Sequence, residues 1–400
     1  MNNKFLDIIY IIKNNIIYIV ILSESILISM PFTIFGILVP IISVDLNLSA
    51  SFMGLVLSVN SLGCFISVLI AGNIIELFGI KRVIVVSNIC LILGMAMITL
   101  ARSDILFAFS YFITGFGSGG LGIALNFLIS SVYKSQRSRR LLQFASFTFI
   151  GAILGSLLTI SILYLEKSWR YCFTIIGILF FIILLIVIKT DLSKFVVKAT
   201  FNIRAFLNAY KGIFLDKRFV IMGFIVFFHD GAIAIFMNWF TTYFKGLNVQ
   251  VTTSSSILIL YSLSEIAGLL LKAHLIKFWS ESKLIIVKSV IALICFIGLI
   301  FTNNFLVKIF FIAGIGISST GLFMLVSSLG VGLNNKNLGI VLGYIYSNAY
   351  IGSIFLLYIS GLLIEQFSHT SVLYFCLFIW FLLNFFAFIN IILEKKSSYK

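Results

Sequence analysis

At 400 residues, 61% hydrophobic and only 10% charged, this chain sits far from soluble domains, which run at about 45–50% apolar and about 25% charged. It has too little polar surface to shield itself from water, so lipid must be its solvent. The formal net charge of +15 invites nucleic acid as a partner, but the bases gather on alternate loops, which is a membrane-topology signal and not a nucleic-acid one.

Apolar runs of roughly 18–25 residues mark spanning helices, and twelve are expected. The first six cover 16–43, 51–75, 83–101, 105–132, 141–165 and 169–188. The second six cover 219–244, 253–276, 284–302, 305–332, 338–364 and 370–393. Lys4 and Lys13 precede a first run with no small-residue cleavage pattern, so it reads as a membrane helix and not as a cleaved signal. Loops inside each half are short, which makes sequential helices antiparallel neighbours. The long connection 189–218 therefore separates an N-terminal bundle (1–188) from a C-terminal bundle (219–400).

Orientation follows from the bases. With the N-terminus inside, 21 of the 28 Lys and Arg residues fall on the inner side, seven of them in 189–218. The opposite loops and their margins hold Arg102, Lys167, Arg170, Lys245 and Lys308. Both termini are thus expected in the cytoplasm, in a multi-pass protein of the inner (plasma) membrane. Within the linker, Val196, Ala199, Ile203, Phe206, Tyr210 and Ile213 recur at helical spacing. A basic amphipathic helix on the anionic inner leaflet and a solvated tether both fit. The five cysteines lie inside apolar runs without paired spacing and read as small core residues.

Between the second and third spans stands Gly72-Asn-Ile-Ile-Glu76-Leu-Phe-Gly79-Ile-Lys81-Arg82, a tight turn carrying an acid, a glycine and two bases. It resembles the loop between helices 2 and 3 of the major facilitator superfamily (MFS) of transporters, G-x-x-x-D-x-x-G-x-[RK]-[RK], with Glu76 in the place of the aspartate. Arg139 and Arg140 follow the fourth span, where that family often has arginine, and Trp169-Arg170-x-x-Phe173 resembles its W-R-x-x-F start of helix 6. A second copy of the loop motif is eroded, with Lys277 where an acid would stand. The halves also echo each other: Gly115-x-Gly117 and Gly314-x-Gly316, Glu166 and Glu365, Leu46-Asn47-Leu48 and Leu247-Asn248-Val249, at offsets of 199, 199 and 201. A near-constant offset fits two parallel six-helix repeats.

The resemblance implies an all-α membrane protein with twelve transmembrane helices in two six-helix bundles, whose helices 1, 4, 7 and 10 line a central cavity. It also implies that Glu76 latches onto the start of helix 11, near Asn337, and onto a base such as Lys134 or Arg137. Gly151-x-x-x-Gly155 resembles the core of an exporter signature, although Ser156 stands where that signature has proline and Tyr111 where drug–proton exporters often carry arginine.

Ionisable groups inside spans are functional candidates by default. Glu24, His229, Asp230, Glu265, Lys272 and His274 qualify. Asp230 is the foremost, about eleven residues and so roughly 16 Å into its span. A partly dry cavity disfavours its charged form, which suits proton exchange; holding the fold together through His229 is the competing role. Being adjacent, the two side chains diverge by about 100° and need not neutralise each other. Glu24 is placed in the same cavity class, nearer the inner surface. Glu265 and Lys272 share a helix face about two turns apart, with partners expected on other helices. Phe227, Phe228, Phe236, Trp239, Tyr243 and Tyr344 are candidates for stacking on a ligand, with lipid-facing or interfacial packing the alternative.

The expected function is secondary active transport of a small solute by alternating access in a monomer, proton-linked and directed towards export. Metabolite uptake by symport or facilitated exchange is the alternative, and a membrane enzyme or sensor on the same scaffold the third. No nucleophile motif and no His–acid cluster marks a catalytic or metal site, and no cofactor is expected. The partners are the bilayer, the solute and protons.

Overall fold

The structure is a computed structural model and describes residues 2–133, 137–192, 216–334 and 338–398. Its helices are α1 (Asn2–Asp45), α2 (Ala50–Phe78), α3 (Ile80–Leu100), α4 (Asp104–Val132), α5 (Arg137–Tyr164) and α6 (Arg170–Lys189), then α7 (Lys217–Gly246), α8 (Val251–Leu275) and α9 (Glu281–Phe301). The tenth span is two pieces, α10 (Phe305–Ser319) and α11 (Leu322–Leu333), followed by α12 (Leu338–Gln366) and α13 (Ser371–Ser398). Twelve spans long and apolar enough to cross a membrane result, and their ends fall within a few residues of those expected.

Polar residues between the apolar runs start the helices. Ser49, Ser103 and Ser280 accept from the backbone N–H three residues on, and Asn304 accepts from Leu306 and Val307, which satisfies donors the helix itself leaves unpaired. The expected repeat is visible at one pair of ends. Asn47 after α1 and Asn248 after α7 both take a left-handed conformation, φ 52° and 60°. In each case the next N–H reaches back to close the last turn, Leu48 to Ser43 O and Val249 to Phe244 O. Glu166 shares the left-handed conformation, whereas Glu365 is still inside α12. That pair of acids is therefore not equivalent.

The first six helices pack on one another, α1 against α5 and α6, α2 against α4, α3 against α4 and α6. The later ones form a second bundle around α7, which packs on α12 and α13, with α10 held by α8 and α9. Contacts between bundles run along α1–α7, α2–α12 and α5–α8. Large apolar side chains such as Ile105, Phe310 and Phe381 cover the outside, as lipid solvation requires.

On the face opposite the termini the bundles meet tightly. A Cβ on Gly54 would stand 2.9 Å from Gly361 Cα, and Ser51 N–H donates to Glu365 Oε2 at 2.7 Å. Thr241 Oγ1 donates to Gly36 O at 2.7 Å and Lys245 Nζ to Pro40 O at 3.4 Å. Backbone lies against backbone here, so any separation of the bundles on this face breaks direct bonds.

Candidate functional site

The tenth span breaks where its sequence reads Ser318-Ser319-Thr320-Gly321. Ser318 Oγ turns back onto Gly314 O at 2.6 Å, a habit that competes with the helix ladder. Thr320 is extended, and Gly321 at φ 79° takes the left-handed conformation that suits a residue without Cβ. The break frees carbonyls at the negative end of α10, where cations are favoured. Two neighbouring helices supply donors: Lys288 Nζ of α9 to Ile317 O at 2.8 Å, and His229 Nε2 of α7 to Ser319 O at 3.0 Å.

His229 carries the connection onward, with its Nδ1 3.1 Å from Asp230 Oδ2. A carbonyl oxygen only accepts, so the Ser319 contact is a hydrogen bond when Nε2 carries the hydrogen, and the Nδ1–Oδ2 contact is one when a hydrogen lies between those two atoms. The His229 side chain is 9% exposed and that of Asp230 32%, so Asp230 is the more open half of the pair. Tyr346 and Tyr350 of α12 lie within electrostatic reach of Asp230, and Trp380 of α13 stands edge-on to the His229 ring.

This corrects the expectation that the two side chains diverge and need not meet, and agrees with the competing role in which His229 holds Asp230. A 100° step along a helix separates Cβ directions, but the imidazole is long enough to close the gap. Glu24 is also corrected: it is fully buried, accepts from Asn88 Nδ2 of α3 at 2.7 Å, and does not open onto a cavity. Its depth was legible in the sequence but its rotation about the helix axis was not. Glu265 is buried on α8, where the Tyr261 hydroxyl faces it and Ser319; the Tyr261 and Ser319 hydroxyls themselves lack a hydrogen-bond partner in the structure. Lys272 makes no ion pair with Glu265 and ends instead 3.6 Å from Met324 Sδ of α11. His274 is exposed at the end of α8. Lys288 is missing from the sequence candidates, a single base five residues into the expected ninth span.

Of the aromatic candidates, Phe236, Trp239, Tyr243 and Tyr344 are buried within the bundle and not lipid-facing; Trp239 Nε1 donates to Ser360 of α12. In the loop motif, Gly79 turns the chain at φ 87° and Lys81 caps α6 through Ile188 O at 2.6 Å. The Glu76 side chain, Lys134 and Asn337 lie outside the described residues, and so does the latch; the linker helix over 196–213 does too. Gly151 faces the α1 backbone at Ile26 with no room for a side chain, a packing role. Arg170 joins Asp45 at 2.7 Å and Ala101 O at 3.1 Å, so the Trp-Arg motif ties α6 to α1 and α3.

The profile of the Major Facilitator Superfamily matches residues 23–352. The chain belongs to that family. A protein described as a TsgA homolog from Buchnera aphidicola subsp. Acyrthosiphon pisum is 24% identical over 307 residues, 74% of this chain and 75% of its own. Another from Buchnera aphidicola subsp. Baizongia pistaciae is 22% identical over 343 residues, covering 85% and 86%. Among solved structures, a D-xylose-proton symporter superposes with a TM-score of 0.76 at 14% identity, over 93% of this chain and 96% of that one. The nucleoside transporter NupG gives 0.75 at 15%, over 96% and 99%. The twelve-helix, two-bundle fold is thus that of the superfamily, and this is a multi-pass membrane protein.

Proposed function

We propose that this protein moves a small solute across the inner membrane by alternating access, coupled to protons through His229 and Asp230. One observation carries the reading: a part-exposed carboxyl oxygen lies 3.1 Å from an imidazole nitrogen whose ring also reaches the broken end of α10 at 3.0 Å. A hydrogen held between Asp230 and His229 would tie the carboxyl to α10, and so link proton binding to the arrangement of the helices there. The superposed D-xylose and fucose transporters are named as proton symporters, which supports proton coupling and favours symport. Gly151 and Gly155 pack α5 against α1, which is compatible with export and with uptake alike. With the termini cytoplasmic, the tightly joined face is the outer one and the conformation is closed to the outside. Residues 1–188 and 219–400 would be the rocking units, and enzymatic chemistry has no part in the scheme.

Purified protein in liposomes, loaded and challenged with sugars, nucleosides and organic acids, tests the reading. Uptake of at least one solute is expected to follow an imposed pH gradient and to collapse with a protonophore. Flux indifferent to the gradient would move the protein to a uniporter or exchanger. Cysteines at Ser193 and Ser397 should resist an impermeant thiol reagent in intact cells while one at Ser368 reacts; the reverse pattern inverts the topology.

A further inference from the structure

Lys272 and Lys288 are both buried, at 8% and 5% exposure, and among the described residues no carboxylate pairs with either. Lys288 has a clear task, because it caps Ile317 O. Lys272 does not. It starts from the last turn of α8, where a base is ordinary and an extended side chain would reach the interface. Instead it turns inward. Its stem crosses Gly321, whose added Cβ would meet Lys272 Cδ at 2.9 Å, and its ammonium ends at the thioether of Met324, a weak acceptor. Met324 belongs to the first turn of α11, a helix of 12 residues. The opening N–H groups of that helix have no acceptor within it and form its positive end. Lys288 is near enough to feel the Lys272 charge.

Three positive features thus converge, two buried ammonium groups and a helix N-terminus, with no anion among them. A cation beside a helix N-terminus is unfavourable, and a buried charge without a partner is costly. Such an arrangement persists at low cost only if an anion visits it. Half-helix N-termini facing anionic groups of a solute are a recurring device in transporters with interrupted helices. We infer that Lys272, with Lys288 behind it and the first turn of α11, binds an oxyanion, a carboxylate or phosphate, carried by the transported solute. This rests on the transport reading above and adds the substrate's class. Gly321 then has a second reason to lack a side chain: it lets the lysine stem cross the break.

The test is thermal unfolding of the purified protein in detergent with inorganic phosphate, citrate or glucuronate, against chloride at equal ionic strength and glucose as the neutral control. At least one oxyanion is expected to raise the wild-type midpoint by about 3 °C or more near saturation. Lys272→Met should abolish that shift, Lys272→Arg should keep it, and without anion Lys272→Met should melt at or above wild type. If the methionine variant does not fold, Lys272→Gln makes the same comparison. No anion-specific shift in the wild type overturns the inference, as does a shift that survives Lys272→Met. A shift given only by added phosphatidylglycerol would assign the site to a lipid headgroup and overturn it as well. Because the readout is binding, transport of a neutral solute alone would sink this inference and leave the proton-linked reading standing. Anion binding without any gradient-driven flux would do the opposite.

Discussion

The two bundles share a plan but bury polar groups in opposite ways. In the first, Glu24, the one fully buried acid among the described residues, is sealed against Asn88, and the fourth span runs unbroken from Asp104 to Val132. In the second, the equivalent tenth span is cut at Thr320–Gly321, and His229, Asp230, Lys272 and Lys288 gather around the cut. The offset of 201 that relates the Asn47 and Asn248 caps carries Asp230 onto Ser29. That serine merely donates to Thr148 O of α5 at 2.6 Å, with Ile26 O its alternative acceptor at 3.0 Å. A common architecture thus holds a half with an unbroken fourth span and a half built around an interrupted helix and a cluster of ionisable side chains. The repeat governs where helices turn; it does not govern where chemistry sits.

The comparison is sharpest at Asp230 and Ser29. Asp230→Asn keeps the shape but cannot share the proton as an acid does, so accumulation driven by a pH gradient should fall at least tenfold while solute exchange persists. Ser29→Ala, at the matching place, should leave accumulation within about twofold, since it loses only an internal packing bond worth about 1 kcal/mol. Equal losses in both variants would erase the asymmetry.

Next in size is the sealed acid. Asn88→Leu strips Glu24 of its donor in a fully buried site, at a cost of about 2–3 kcal/mol, read as a lower unfolding midpoint. Adding Glu24→Leu should restore most of the loss, with transport per folded molecule unchanged throughout. A drop in transport at unchanged stability would make Glu24 part of the mechanism.

A smaller effect separates the two spans. Gly321→Ala forces an L-residue to φ 79° beside Lys272 and should cost about 1–2 kcal/mol. Gly122→Ala, at the matching position in unbroken α4, meets only Ile28 Cδ1 at 3.9 Å and should be neutral or gain up to about 1 kcal/mol. Melting both variants decides it. Smallest is Glu365→Gln at the closed face. The exposed acceptor for Ser51 is weakened, and transport rate should change by about twofold with the midpoint unmoved.

Span number, span ends and the two-bundle plan were legible because lipid imposes length and hydropathy on every crossing segment. The Gly79 turn was legible too, as a glycine between two apolar runs. What escaped was rotation and reach. Counting residues gives the depth of Glu24 but not the side of α1 it occupies. The His229–Asp230 contact depends on a ring reaching back along its own helix. The break at Thr320 had a signal in Ser318-Ser319-Thr320-Gly321, but high hydropathy on both sides masks a polar interruption inside a long span. Lys288 disappears for the same reason, as one base in an otherwise apolar run.

The His229–Asp230 hydrogen bond can be tested without knowing the solute. The chain has only three histidines, His229, His274 and His369, so replacing the latter two leaves a single imidazole for nitrogen-15 NMR in detergent or lipid. The expected result is a hydrogen on Nε2 and a hydrogen-bonded Nδ1, with the Nδ1 signal displaced in Asp230→Asn. A bare Nε2, or an Nδ1 signal indifferent to Asp230→Asn, contradicts a hydrogen held between His229 and Asp230.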